Sequence, residues 1–208
     1  MADQTYPNEV ISNIFNRRSI RGYKDQPVSK ETIKKILDAA CMAPSLLNSQ
    51  PWRFTVYQGD KREGILKLLR RTLRYLEDML PVLDEADRAA FVKGHEDKEE
   101  QKRVIDFFDT LGGAPVIIVV TMKKIRNDIN RRMGLIACGG AVENMMLAAE
   151  SLGLATCCVG SALWIEEDIL QVMDQTDSEL VTIITLGSPA YEAGLTERKK
   201  NVTEWIGF

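Results

Sequence analysis

Histidine is almost missing from this chain: His95 is the only one in 208 residues, and it stands in a charged stretch far from every cysteine. A Ser/His/Asp or Cys/His nucleophilic system therefore lacks its base. Cys41, Cys138, Cys157 and Cys158 show no CxxC spacing, so neither zinc nor any other metal site is expected. HExxH, GxSxG, GxxxxGK[ST] and a GxGxxG following a strand are all absent. No charge sign dominates either, with 27 Lys+Arg against 30 Asp+Glu and a net charge of -3, which argues against a surface built to hold nucleic acid or anionic lipid. The purest apolar run, Val116 to Val120, falls far short of the ~20 residues that a membrane-crossing helix needs. Met1 to Asn8 has no basic start followed by an apolar block, so a cytoplasmic protein with reduced thiols is expected.

What the chain does contain is a core: 45% of it is apolar, enough for one domain over 1–208. Asn8 can cap a short helix through Val10, Ile11, Ile14 and Phe15 that ends at Arg17 and Arg18. Ser29 can cap a second, with Ile33, Ile36, Leu37 and Ala40 on one face and Pro44 beyond its end. Strands are expected at 53–57, 116–120, 154–159 and 180–186. Ile65, Leu68, Leu69, Leu73 and Leu76 give another helical stripe, and Ile165, Ile169, Leu170 and Met173 a short one. Between Asp84 and Arg103 stand seven acidic and five basic residues, which reads as a solvated excursion or lid. From Leu135 to Ser151 nearly every helical face is apolar or small, so that helix must be covered all round, and a second copy of the chain is the expected cover. A polar arm from Ala190 ends in Trp205, Ile206 and Phe208, a hook suited to docking.

Four stretches carry chemistry. Arg17, Arg18, Ser19 and Arg21 offer guanidinium forks and a hydroxyl to a phosphate-sized anion, or they complement the end of the first helix and face water. The loop from Pro44 to Trp52 is stiffened by two prolines, and Ser45, Asn48, Ser49 and Gln50 supply donors and acceptors that suit a heterocycle edge alternating carbonyl oxygens with an N–H, such as the pyrimidine end of a flavin. The same loop also reads as a rigid turn whose Trp52 and Phe54 plug the core. Gly160 and Ser161, just past Cys157 and Cys158, sit where a strand emits a loop and backbone N–H groups can approach a flat ligand. Arg198, Lys199 and Lys200 either close on the same phosphate as Arg17 or form a solvated run. With no base in sight, an enzyme built on these residues would rely on a cofactor.

Taken in order, Arg17 to Arg21, Pro27-Val28, Ala43 to Ser45, Asn48 to Trp52, Gly153-Leu154, Cys157 to Gly160, Leu186 to Pro189 and the basic 198–200 run resemble the nitroreductase-like flavoprotein family. The likeness covers nearly the whole chain. It implies an α+β fold with a central, mostly antiparallel sheet flanked by helices, in an intertwined homodimer with one FMN at each of two sites between subunits. It further implies hydride uptake from NADH or NADPH and ping-pong reduction of a nitroaromatic, a quinone or a related small-molecule electrophile. By the same resemblance Arg17 and Ser19, supported by Arg18, hold the FMN phosphate and ribityl chain. Arg21 stands near flavin N1 and O2, and Pro44, Ser45, Asn48 and Gln50 line the ring. Gly160 and Ser161 face N5, and Arg198 and Lys200 return to the phosphate. Other members of the family remove halogen from iodotyrosine under a lid of acidic, Tyr and Lys groups, part of which Tyr75 and Glu77 could mimic, and a dehalogenase of that type is one alternative; a non-catalytic FMN-binding or regulatory protein is the alternative of another class.

Overall fold

A computed structural model describes residues 8–72, 106–194, 198 and 202–207. Five helices and four strands are labelled: α1 (Glu9–Asn16), α2 (Lys30–Ala40), β1 (Trp52–Gln58), α3 (Glu63–Leu69), β2 (Val116–Lys123), α4 (Asp128–Ser151), β3 (Ala155–Val159), α5 (Glu166–Val172) and β4 (Ser178–Gly187). The strands form one antiparallel sheet in the order β1-β2-β4-β3. An α+β fold follows, as expected.

Side chains alternate across a strand, so a strand buried on both faces has no polar side. β2 shows this directly. Val116, Ile118, Val120 and Met122 pack with Ile33, Ile36 and Ala40 of α2 and with Ala137, Ala141 and Met145 of α4, while Ile117 and Val119 join Ile65 and Leu69 of α3 and Ile169 of α5 on the other face. The unbroken apolar run thus serves two cores. A register shift between Val120 and Thr121 against β4 marks a bulge at the far end of β2.

Local signals set the helix ends. The Asn8 side chain accepts from the N–H groups of Val10 and Ile11, and Ser29 accepts from that of Thr32, each satisfying a donor the helix cannot pair itself. α4 begins at Asp128, earlier than the expected 135, because Asn127 caps it through the Asn130 N–H. Its first two turns are polar enough to pass for a loop in sequence. Gly140 faces Ala43 of the same chain, where an added Cβ would stand 3.6 Å from the Ala43 methyl, whereas Gly139 opens on free space. Val202, Trp205 and Ile206 are largely exposed. Leu73, Leu76, the 84–103 excursion, Tyr75 and Glu77 lie outside the described residues, as do Phe208, Lys199 and Lys200.

Candidate functional site

α1 stops at Asn16, and Arg17 leaves the helix with φ -55° and ψ 131°, turning the following residues toward the sheet. There Ser19 bridges Thr156 in parallel, and the Ile20 N–H donates to the Thr156 carbonyl at 3.0 Å. The basic turn thereby becomes an extra rung on the outer side of β3. Tyr23 anchors its far end: the buried hydroxyl donates to the Ile20 carbonyl at 2.6 Å and shares a 2.6 Å hydrogen bond with Thr185. Burial pushes that phenol far above its ordinary range, so it stays neutral.

Beneath the turn lies the 3-10 turn Leu111–Gly113. Gly112 takes φ +65°, and a Cβ there would overlap the Arg21 carbonyl oxygen; its own carbonyl accepts from the Tyr23 N–H at 2.8 Å. Glycine is required here for both the backbone conformation and the close approach. On the other side the chain after β4 returns, with the Lys24 N–H donating to Ser188 at 2.9 Å and the Ala190 N–H to Gly22 at 3.0 Å.

These contacts enclose a cleft of ≈ 440 Å³ lined by Arg17, Arg18, Ser19, Arg21, Tyr191, Ala193, Gly194 and Arg198. Four of the eight are arginines, from two segments far apart in sequence. Among the described residues, two buried side-chain polar atoms make no hydrogen bond, Arg17 Nε and Thr156 Oγ1, and both belong to this corner. Arg17 Nε does lie 3.4 Å from Glu143 of α4, an ion-pair distance without hydrogen-bond alignment. A guanidinium so held keeps donor capacity for an incoming anion. The positive field extends to β3, where Arg21 and Arg17 oppose the upward push that burial gives the Cys157 thiol. Glu150, also raised by burial, is drawn the other way by Arg17 and Arg18.

Arg17, Arg18, Ser19, Arg21 and Arg198 therefore come together, and Tyr191, which sequence alone did not single out, joins them. Pro44, Ser45, Asn48, Gln50, Gly160 and Ser161 are not among the lining of this cleft. Their loop is nonetheless set in a particular shape. Leu47, Asn48 and Gln50 all take positive φ, at 51°, 56° and 43°; the Ser45 hydroxyl accepts from the Gln50 N–H at 3.0 Å, and Gln50 donates to the Asn48 carboxamide oxygen at 3.2 Å. Non-glycine residues held in that region store strain, a frequent property of ligand-binding segments. Trp52 and Phe54 do pack into the core, as the plainer reading of this loop has it. Gly160 is exposed at the mouth of β3, and an added Cβ there would meet nothing within 4 Å.

All four cysteines are free, with Cys41 and Cys158 exposed. Among the described residues no three His, Cys, Asp or Glu side chains cluster as metal ligands, and no helix is long and apolar enough to cross a membrane.

A wrapped antiparallel sheet with an arginine cleft on its β3 edge defines a class, and comparison with known proteins supplies it: the nitroreductase family model matches residues 14–188, and the chain belongs to that family. It is 35% identical over 173 residues to the nitrobenzene nitroreductase of Ectopseudomonas oleovorans, covering 69% of this chain and 70% of that one. Among solved structures, an FMN complex of a nitroreductase-type protein from Desulfovibrio desulfuricans superposes with a TM-score of 0.71 at 26% identity, over 97% of this chain and 99% of the other. The FMN and NADPH-dependent nitroreductase NfnB of Sphigopyxis sp. strain HMH shares the fold, with a TM-score of 0.79 at 20% identity over 97% and 100% of the two chains.

Proposed function

We propose that this protein is an FMN-dependent NAD(P)H oxidoreductase that works as a homodimer on nitroaromatics, quinones or similar electrophiles in the cytoplasm. The observation that carries the reading is the half-buried Arg17, whose Nε makes no hydrogen bond, in a cleft it lines together with Ser19, Arg21 and Arg198. That donor set fits a phosphate monoester. The chemistry a bound FMN supplies is two-electron transfer, from NADH or NADPH at flavin N5 and then on to the acceptor in ping-pong order.

The chain's own residues hold and bias it. Arg17, Ser19 and Arg198, with Lys200, bind the phosphate end. Arg21 puts positive charge where the reduced ring becomes negative, which favours hydride uptake. The strained loop with Pro44, Ser45, Asn48 and Gln50 would line the ring, and Gly160 and Ser161 would offer main-chain N–H groups to it. No side chain needs to act as nucleophile or base, because the protein's task is to bring the nicotinamide to within roughly 3 to 3.5 Å of the ring.

Dimerisation completes the site. The loop at 44–51 is absent from the cleft lining, and the second subunit's copy of it is the natural source of ring contacts. α1 has no buried residue although Val10, Ile11, Ile14 and Phe15 are all exposed, and Ile129, Met133 and Ile136 form an exposed stripe on α4. Purified protein is expected to be yellow with flavin absorption and to bleach on anaerobic mixing with NADH or NADPH. A colourless protein that takes up no FMN would sink the proposal, and one that binds FMN but stays oxidised with both donors would reduce it to a flavin-binding protein.

A further inference from the structure

The resemblance gives Arg18 a supporting place at the phosphate, but its guanidinium is committed elsewhere. Nη1 donates to the carbonyl oxygens of Phe15 at 2.6 Å and Arg17 at 2.8 Å, and Nε donates to that of Gly194 at 3.2 Å. One planar fork thus ties the end of α1 to the C-terminal arm. Tyr191 makes a second tie from the other side: its hydroxyl accepts from the Arg21 N–H at 3.0 Å, and its ring lies so close over Gly22 that an added Cβ would stand 3.1 Å from Cε1. Up to Ala190 the arm follows the basic turn through backbone bonds. Beyond it, among the described residues, these two side chains make the hydrogen-bonded ties, Ala193 adds an apolar contact with the cluster of Ile20 and Tyr23, and Arg198 lines the cleft only four residues after Gly194.

We propose that Arg18 and Tyr191 form a latch that fixes the C-terminal arm to the basic turn, and that through the arm they place Arg198 and set the affinity for the phosphate of FMN. The inference rests on the FMN reading given above. Both are positioning residues. Without the latch, Arg198 reaches the phosphate only after the arm is ordered, and that ordering subtracts from binding. On the FMN reading Arg198 would meet the phosphate and not the ring, so a ligand without the phosphate should be indifferent to the latch.

Two substitutions isolate the effect. Tyr191→Phe keeps the ring over Gly22 and removes the hydroxyl, while Arg18→Lys keeps the charge but lacks a fork able to reach three carbonyls at once. Apoprotein titrated with FMN should show Kd raised ~3- to 10-fold by either change, as for loss of one or two hydrogen bonds, with riboflavin affinity unchanged within ~2-fold. In an Arg198→Ala background the same substitutions should alter FMN affinity by less than ~2-fold, because they act through the residue already removed. Trypsin should also cut the apoprotein at 198–200 several-fold faster in both variants. Equal losses for FMN and riboflavin, a full effect persisting without Arg198, or unchanged tryptic cleavage would each overturn the latch. A wild-type protein with no preference for FMN over riboflavin would overturn the FMN reading and the phosphate half of this proposal, and the ligand-free cleavage rates would still decide the latch.

Discussion

Arg17 meets two carboxylates of α4, Glu143 at ion-pair distance and Glu150 through its field, and still keeps a buried donor unbonded. Removing it as Arg17→Ala deletes a charge-assisted contact, so FMN affinity should fall by ~1.5 to 3 kcal/mol in a fluorescence titration of the apoprotein. Unchanged affinity would mean the phosphate lies elsewhere. The thiols give a second test at this scale. Burial pushes Cys138 up to about 11 and also raises Cys157, while Cys41 and Cys158 are exposed. A thiol-exchange reagent at mildly alkaline pH should find two fast groups in native protein and four after denaturation. The sign for stability follows: the unfolded Cys138 ionises first, so stability is full below the ordinary thiol range and falls as pH rises toward 11. The arginine run was legible in sequence because its residues are neighbours. Glu143 and Tyr191 were not, since only the packing of α1 on α4 and the return of the chain after β4 bring them to Arg17 and Arg21.

Among elements, α2 and β2 were plain in the sequence: a capping Ser29 with a 3-4 apolar spacing, and a run too apolar to face water on either side. α4 was legible only in its second half, because Asp128, Asn130, Arg131 and Arg132 hide the first turns behind polar residues. The purpose of the turn at 111–113 appears only with Arg21 laid across it. Gly112→Ala should cost ~1 to 3 kcal/mol of stability in a urea melt, from overpacking and the left-handed φ together. It should also weaken FMN retention, since the basic turn must move. A variant with wild-type stability and retention would show that the two turns do not bear on each other.

For the molecule as a whole, the sequence demanded that the helix from 135 to 151 be wrapped, and much of that wrapping turns out to come from α2 and the sheet of the same chain. Large apolar residues left uncovered stand in the first half of α4, with Ile129 69% and Ile136 70% exposed, and on α1. Sedimentation velocity should return twice the 23.4 kDa chain mass for the wild-type protein. Ile136→Asp should shift it to the single-chain mass and lower FMN occupancy in step, as the proposed sharing of the site between subunits requires. A dimer untouched by that charge would place the interface elsewhere.

The Ser19 rung has a consequence beyond ligand binding. β3 is a margin of the sheet, and the strip proposed to hold the phosphate is also what screens part of its N–H and C=O groups from other chains. On the proposed function, ligand binding and resistance to fibre-like aggregation then fall to the same few residues, so a lesion that loosens this strip would surface as insolubility as well as lost FMN.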